Sequence, residues 1–304
     1  MKILNYGEKY GSPIVLAMGF FDCVHKGHAE IISRAKQLAA KYDAKCAALT
    51  FRNDPCAFLG KKQQLYSLRE REIVFSDLGL DAVVTAVFDE KFYSTSASEF
   101  LSTLSGSLNI MAVVAGEDYT FGAHAAGDVD MLAKTFGKKG IVTEILPLLD
   151  IDKVKISSTE IKNAVARGDI AYANARLTEP YFMLGRVAHA HGRGNTFGYP
   201  TANIPLESDR LVIADGVYVS SVTIDGQTYP SGTNVGAKPT FDDEKPSVET
   251  FIIGFDGNIY GKEIKLAFYD RLRDIKKFGS AAELAAQLDS DMSRITAFFG
   301  EEYK

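Results

Sequence analysis

His25 and His28 stand three residues apart with Gly27 between them, just after an apolar run, Ile14–Met18, that ends at Gly19. Phe20, Phe21 and Asp22 follow the glycine, and an amphipathic segment follows the histidines. This order predicts a strand, a tight loop and a helix. A helix N-terminus with imidazoles beside free backbone N–H groups can hold a phosphate. Histidine can also protonate a leaving group near neutral pH. The same two residues would equally serve to cap or pack a helix start.

Three further stretches carry candidate chemistry. Ser157, Ser158 and Thr159 precede Glu160 and an apolar periodicity, which is an N-cap signature. Capping explains it fully, although the same hydroxyls and N–H groups can hold a phosphate, with Lys155 supplying positive charge. Gly116–Asp128 is rich in glycine, which suits either a plain turn or close approach of backbone to a ligand. The stretch His191–Asn203 has glycines at Gly192, Gly194 and Gly198, and follows neither the Walker A nor the G-x-G-x-x-G pattern. Its backbone could approach a polyphosphate and Arg193 could meet a phosphate. Thr201 and Asn203 are two apart, so an extended chain points both to one face, where their oxygens suit magnesium. A glycine-rich surface loop with a proline turn is the plainer alternative.

The elements needed to position these residues are legible as patterns. Ile31, Ala35, Leu38 and Tyr42 recur at helical spacing. Strands are expected at Cys46–Phe51, Ala82–Phe88, Met111–Ala115 and Ile141–Ile145, and helices at Arg69–Leu78 and Ser96–Leu104. Apolar strands alternating with helices imply a parallel sheet covered on both faces, with ligands beyond the carboxyl ends of its strands. Pro180 stops the helix that follows Thr159, and the period then changes to that of strands. This places a domain boundary between residues 1–179 and 180–304. Tyr181–Val187, Gly216–Ile224, Val248–Phe255 and Ile264–Tyr269 read as strands with turns at Asp225-Gly226 and Asp256-Gly257. They suggest a small antiparallel barrel, followed by an amphipathic helix over Ala281–Phe299.

A length of 304 residues favours two domains, and 46% hydrophobic content can build their cores. A net charge of −5 gives no general attraction to nucleic acid or to acidic membranes. No apolar run approaches the roughly 20 residues that span a bilayer, and the first residues lack the apolar core of a signal peptide. Cys23, Cys46 and Cys56 form no CxxC and fit reduced thiols of a cytoplasmic protein. No segment specifies an oligomeric state.

The stretch MGFFDCVHKGH resembles the H-x-G-H signature of nucleotidyltransferases and, more narrowly, the GxFDGxHxGH opening of bifunctional riboflavin kinase/FAD synthetases. GEDYTFGAHAAGD resembles that family's GxDFxFGxxxxGD flavin- and nucleotide-binding segment through Gly116, Asp118, Phe121, Gly122 and Gly127. KISSTEIK resembles its ISSTxIR segment, with Lys162 where arginine is usual. GYPTAN matches the G-[FY]-P-T-A-N motif of riboflavin kinases, in which the Thr and Asn hold the magnesium of ATP. The resemblance covers nearly the whole chain. It implies a doubly wound parallel-sheet nucleotidyltransferase domain, then a small antiparallel β-barrel kinase domain with a C-terminal helix.

On this resemblance the chain phosphorylates riboflavin to FMN and adenylylates FMN to FAD, using ATP twice, with Mg2+ as cofactor. Gly19, Phe21, His25, His28, Lys155, Ser158, Thr159 and Lys162 would serve the nucleotide of the first domain. Asp118, Phe121, Arg271 and Arg273 would meet flavin. Gly192, Arg193 and Gly198 would hold the phosphates of the second domain, Thr201 and Asn203 its magnesium, and Glu249 would be the general base. The chain departs from the family at Cys23 (usually Gly), at Asn53 and Asp54 (usually Pro and His), near Ala125 (usually Arg) and at Asn195 (often Arg). An acid at 54 would repel a triphosphate. The departures leave a second expectation, a riboflavin kinase joined to a weak, redirected or non-catalytic nucleotide- and flavin-binding regulatory domain.

Overall fold

The structure, a computed structural model, describes residues 1–60, 64–151, 154–188, 201–205, 211–238 and 243–300, without the side chains of 237, 238 and 243–246. It forms two compact units, Met1–Ser158 and Thr159–Lys304.

In the first unit β1 (Lys2–Asn5) and β2 (Tyr10–Met18) lead into α1 (Lys26–Lys41), β3 (Lys45–Phe51), α2 (Pro55–Phe58) and α3 (Leu68–Asp77). Then come β4 (Ala82–Ala86), α4 (Glu90–Tyr93), α5 (Ala97–Ser107), β5 (Leu108–Gly116), α6 (Val129–Gly137) and β6 (Val142–Leu146). A short hairpin of β7 (Asp150–Ile151) and β8 (Val154–Lys155) closes the unit. The six-stranded sheet is parallel in the order β1-β4-β3-β2-β5-β6. Its central strands are buried runs because helices cover both faces: Ile14 to Met18 are at most 1% exposed. Helix α1 buries Ile31, Ile32, Ala35, Leu38 and Ala39, close to the expected stripe, while Tyr42 is its C-cap residue.

The chain moves outward from β2 to β3 and β4 on one side, then crosses to β5 and β6 on the other. The strand order therefore reverses between β2 and β5. In such a sheet the crevice at the reversal, beyond the carboxyl ends, is where ligands bind. The loops after β2 and β5 are the histidine loop and Gly116–Asp128.

The second unit starts with α7 (Ser158–Arg167), whose first residue ends the first unit, and α8 (Ile170–Asn174). Both helices belong with the strands that follow them. Asn174 Nδ2 donates to the Phe268 carbonyl at 2.9 Å and Asn174 Oδ1 accepts from the Tyr181 N–H at 2.8 Å. The strands are β9 (Phe182–Arg186), β10 (Thr201–Ile204), β11 (Gly216–Ile224), β12 (Gln227–Lys238), β13 (Asp243–Ile252) and β14 (Glu263–Arg273), and α9 (Ala281–Phe299) follows. They form an antiparallel sheet in the order β10-β13-β12-β11-β14-β9. Just past the end of β9, Ala188 pairs with Asn203 of β10, joining the two edges into a barrel.

The sequence patterns predict four of these six strands and miss β10 and β12. The reason for the second is inside the barrel. Ser220, Ser231, Thr233 and Thr250 are fully buried and bonded to one another: Ser220 Oγ meets Ser231 Oγ at 2.8 Å and Thr233 Oγ1 at 2.7 Å, and Thr233 Oγ1 donates to Thr250 Oγ1 at 2.9 Å. Hydroxyls satisfied by hydroxyls replace part of an apolar interior. Strand β12 therefore carries polar residues inward and shows no apolar alternation.

Candidate active sites

The histidine loop is held in an unusual backbone conformation. Phe21 and Val24 both have positive φ, 55° and 41°. Side chains rarely adopt this region, and residues held there cluster at functional sites. His25 is the N-cap of α1, and its Nδ1 accepts the His28 backbone N–H at 3.1 Å. That bond fixes the tautomer: in the neutral ring the proton sits on Nε2, which remains a donor. The His28 ring stacks on His25 with centroids 3.5 Å apart and meets the edge of Phe21 at 5.0 Å. Its Nδ1 is buried without a partner. Gly27 permits this stack, since a Cβ there would lie 3.3 Å from the His25 ring.

Burial pushes the pKa of His25 down to about 4. Burial, then the charge of His25, holds His28 well below the usual histidine range. Both rings are therefore neutral at neutral pH and can offer a ring N–H but no fixed charge. A consequence for stability follows. Between the ordinary value of 6.5 and about 4 the unfolded chain takes up a proton at His25 that the folded chain does not. Stability therefore falls as pH drops through that window, by up to the order of 3 kcal/mol. The unfolding-temperature gap between wild type and His25→Gln is expected to shift against wild type from pH 7 to pH 5. A gap that stays constant with pH would contradict this assignment.

Cys23, where the family usually has glycine, is fully buried and points its thiol at the Ser158 carbonyl, 3.8 Å away. This contact and the bond from the Ile156 N–H to the Leu149 carbonyl bring the start of α7 beside the histidine loop. Within the first unit the Ser158 backbone thus lies beside Cys23 of the histidine loop. Thr159 and Lys162 belong to the second unit, where Thr159 is exposed and Lys162 buried. Lys155 is exposed on β8.

The loop after β3 gives Asp54 a structural task. Its carboxylate caps α2, Oδ1 accepting from the Cys56 N–H and Oδ2 from the Gln64 N–H, both at 2.8 Å. Asn53 makes two bonds to Phe88: Nδ2 donates to its carbonyl at 2.8 Å and Oδ1 accepts its N–H at 2.7 Å. Both departures from the family pattern fasten the loop.

That fastening supports an aromatic surface that sequence reasoning missed. Phe58 is 41% exposed and packs on Phe88 at 5.4 Å and Tyr93 at 5.8 Å, and Tyr93 meets the edge of His124 at 5.6 Å. The residues come from α2, the end of β4, α4 and the turn after β5, so no local pattern reveals them. His124 and Ala125 both hold φ of 56°. Asp118 is exposed at the start of this turn. Phe121 is not offered to a ligand: it is 6% exposed, packs on Phe100 and Tyr119, and pairs with Gly127 to close the loop.

In the second unit the strand register builds one polar row. Asn203 on β10 lies opposite Glu249 on β13, which lies opposite Asn234 on β12. Cross-strand neighbours have Cβ atoms about 5 Å apart. Thr201 is two residues from Asn203 on the same face, and the alternation is visible in burial: Thr201 and Asn203 are half-buried while Ala202 and Ile204 are sealed. The Thr201 hydroxyl and Asn203 amide oxygens are hard donors suited to magnesium, with the Glu249 carboxylate on the neighbouring strand. Gly192, Arg193, Asn195 and Gly198 lie outside the described residues.

The two arginines expected to meet flavin are engaged by protein. Arg271 donates to the Asp215 carbonyl at 2.6 Å and pairs with Asp274 at 3.0 Å. Arg273 binds the fully buried Asp291 of α9 through Nε at 3.0 Å and Nη2 at 2.7 Å, and Gln287 completes that carboxylate's bonds. A buried carboxylate needs such a partner, so Arg273 docks the C-terminal helix.

A switch-point parallel sheet with a histidine loop, followed by an antiparallel barrel with a Thr–Asn–Glu row, defines a two-domain transferase that uses nucleotides. Comparison with known proteins agrees. The FAD synthetase family matches residues 8–160 and the riboflavin kinase family residues 177–299. A bifunctional riboflavin kinase/FMN adenylyltransferase of Bacillus subtilis is 35% identical over 292 residues, 94% of this chain and 92% of the relative. One from Listeria monocytogenes is 36% identical over 94% and 93%. A solved structure described as a macrolide-efflux protein from Streptococcus pneumoniae is 33% identical, with a TM-score of 0.85 over 96% of this chain and 98% of that one. The chain belongs to the bifunctional riboflavin kinase/FMN adenylyltransferase family, and it contains both enzyme domains. Among the described residues no helix is long and apolar enough to cross a membrane.

Proposed function

We propose that the second unit transfers the γ-phosphoryl group of ATP to riboflavin, giving FMN and ADP, and that the first transfers AMP from a second ATP to FMN, giving FAD and pyrophosphate. The observation that carries this reading is that two separate constellations lie in different units. One is the stacked histidine pair at the switch point, and the other is the Asn203–Glu249 row.

In the kinase unit Glu249 accepts the proton of the ribityl hydroxyl as its oxygen attacks the γ-phosphorus. Thr201 and Asn203 supply oxygens to magnesium, which when bound neutralises triphosphate charge. In the adenylyltransferase unit the FMN phosphate is itself the nucleophile and attacks the α-phosphorus. His25 and His28 donate N–H bonds to the triphosphate as charge moves to the leaving pyrophosphate. Ser158 and the cation Lys155 of the same unit assist. The Phe58–Phe88–Tyr93 surface gives an isoalloxazine ring a face to stack on. Dependence on ATP and three free cysteines suit the cytoplasm.

Labelled ATP tests the two reactions separately. Label from the γ-phosphate should enter both FMN and FAD, and label from the α-phosphate should enter FAD alone. Incorporation of α-label into FMN, or of none into FAD, would overturn the reading.

A further inference from the structure

Arg71 is a fully buried cation that neither proposed reaction uses. It sits on α3, whose start is fixed by a capping box between Ser67 and Glu70. Its Nη1 donates to the Phe20 carbonyl at 3.2 Å and to Thr50 Oγ1 at 2.5 Å, and its Nη2 donates to the Phe51 carbonyl at 2.9 Å. The Thr50 hydroxyl donates in turn to the Phe20 carbonyl at 2.6 Å. The guanidinium also lies over the Phe20 ring, 5.1 Å from its centroid.

These acceptors are placed where two loops begin. Phe20 directly precedes Phe21, the first residue of positive φ in the histidine loop. Phe51 ends β3, and its ring is a base of the aromatic surface, 5.2 Å from Phe88. The carboxylates balancing the charge come from the same two loops and from α3 itself, which supplies Glu70 and Glu72. Asp22 and Asp54 both act on Arg71, and Asp22 also accepts the Leu65 N–H at 2.8 Å. Burial lowers the Arg71 pKa only to about 10, so the side chain is charged at neutral pH. Without it, the carbonyls of Phe20 and Phe51 would lose charge-assisted bonds in a buried place.

We infer that Arg71 is a positioning residue for adenylyl transfer: it ties the histidine loop, which faces the triphosphate, to the aromatic surface, which faces the flavin, and so sets the distance between the two substrates. The inference rests on the proposed function of the first unit. A planar fork reaching acceptors on β3 and on the histidine loop does what a single ammonium cannot. In-line transfer between two bound substrates is sensitive to misplacement of about 1 Å, which can cost on the order of 100-fold.

The test uses the full chain, with riboflavin phosphorylation as an internal control. Arg71→Met should lower kcat for FAD formation from supplied FMN by about 30-fold or more, with KM for ATP changed by less than about threefold and FMN formation within about twofold of wild type. Arg71→Lys should recover only part of the rate. Guanidinium chloride at low millimolar concentration should raise FAD formation in Arg71→Ala and leave His28→Ala unchanged. Wild-type kcat in Arg71→Met or in folded Arg71→Lys would overturn the inference. So would failure of both variants to fold, which would make the residue purely structural. Should Arg71→Met alone fail to fold, a lowered kcat in folded Arg71→Lys supports the inference. A wild-type protein that makes no FAD from FMN would instead sink the reading on which it rests.

Discussion

Replacing Glu249 by alanine should reduce riboflavin phosphorylation by about 10²–10⁴-fold, the usual contribution of a positioned general base. FAD formation from supplied FMN should stay near its starting rate. The reason is location. Glu249 sits on β13 in the second unit, flanked in register by Asn203 and Asn234, while the histidine pair sits in the first. The substitution leaves an alanine on a half-buried face and does not touch the sealed face of Val248 and Thr250. Separate assays of the two activities check the prediction. A parallel fall of both would contradict two independent sites.

His28→Ala should do the reverse. FAD formation should fall by about 10²–10³-fold, as for other preorganised donors to developing negative charge, with FMN formation unchanged. Alanine removes the ring that stacks on His25 at 3.5 Å and the buried Nδ1 that lacks a partner, but keeps the backbone N–H that His25 caps. The helix start should therefore survive. Unchanged FAD synthesis in this variant would remove His28 from the site.

The sequence shows the first unit well because buried parallel strands are continuous apolar runs. Ile14–Met18, Cys46–Phe51 and Met111–Ala115 stand out for that reason alone. Strand β12 does not, because Ser231 and Thr233 face a hydroxyl-filled interior and Pro230 stands within the strand. The histidine loop, the serines before α7 and the Thr201–Asn203 pair are local motifs and could be read directly.

What local patterns could not show was how side chains are used. Asp54 reads as a charge opposed to a triphosphate, yet both its oxygens are taken by backbone N–H groups. Arg273 reads as a flavin contact, yet a carboxylate 18 residues along the chain holds it. Phe58, Phe88 and Tyr93 meet only once the sheet brings separate loops together. Each case depends on contacts between distant segments, on which periodicity carries no information.

The central claim is that one chain carries riboflavin through to FAD. Its most direct test is to incubate the pure protein with riboflavin, ATP and magnesium and to separate the flavins by chromatography over time. FMN that rises and then gives way to FAD is the predicted result. Accumulation of FMN alone, with no FAD after exhaustive incubation, would contradict the claim and confine the chemistry to the second unit.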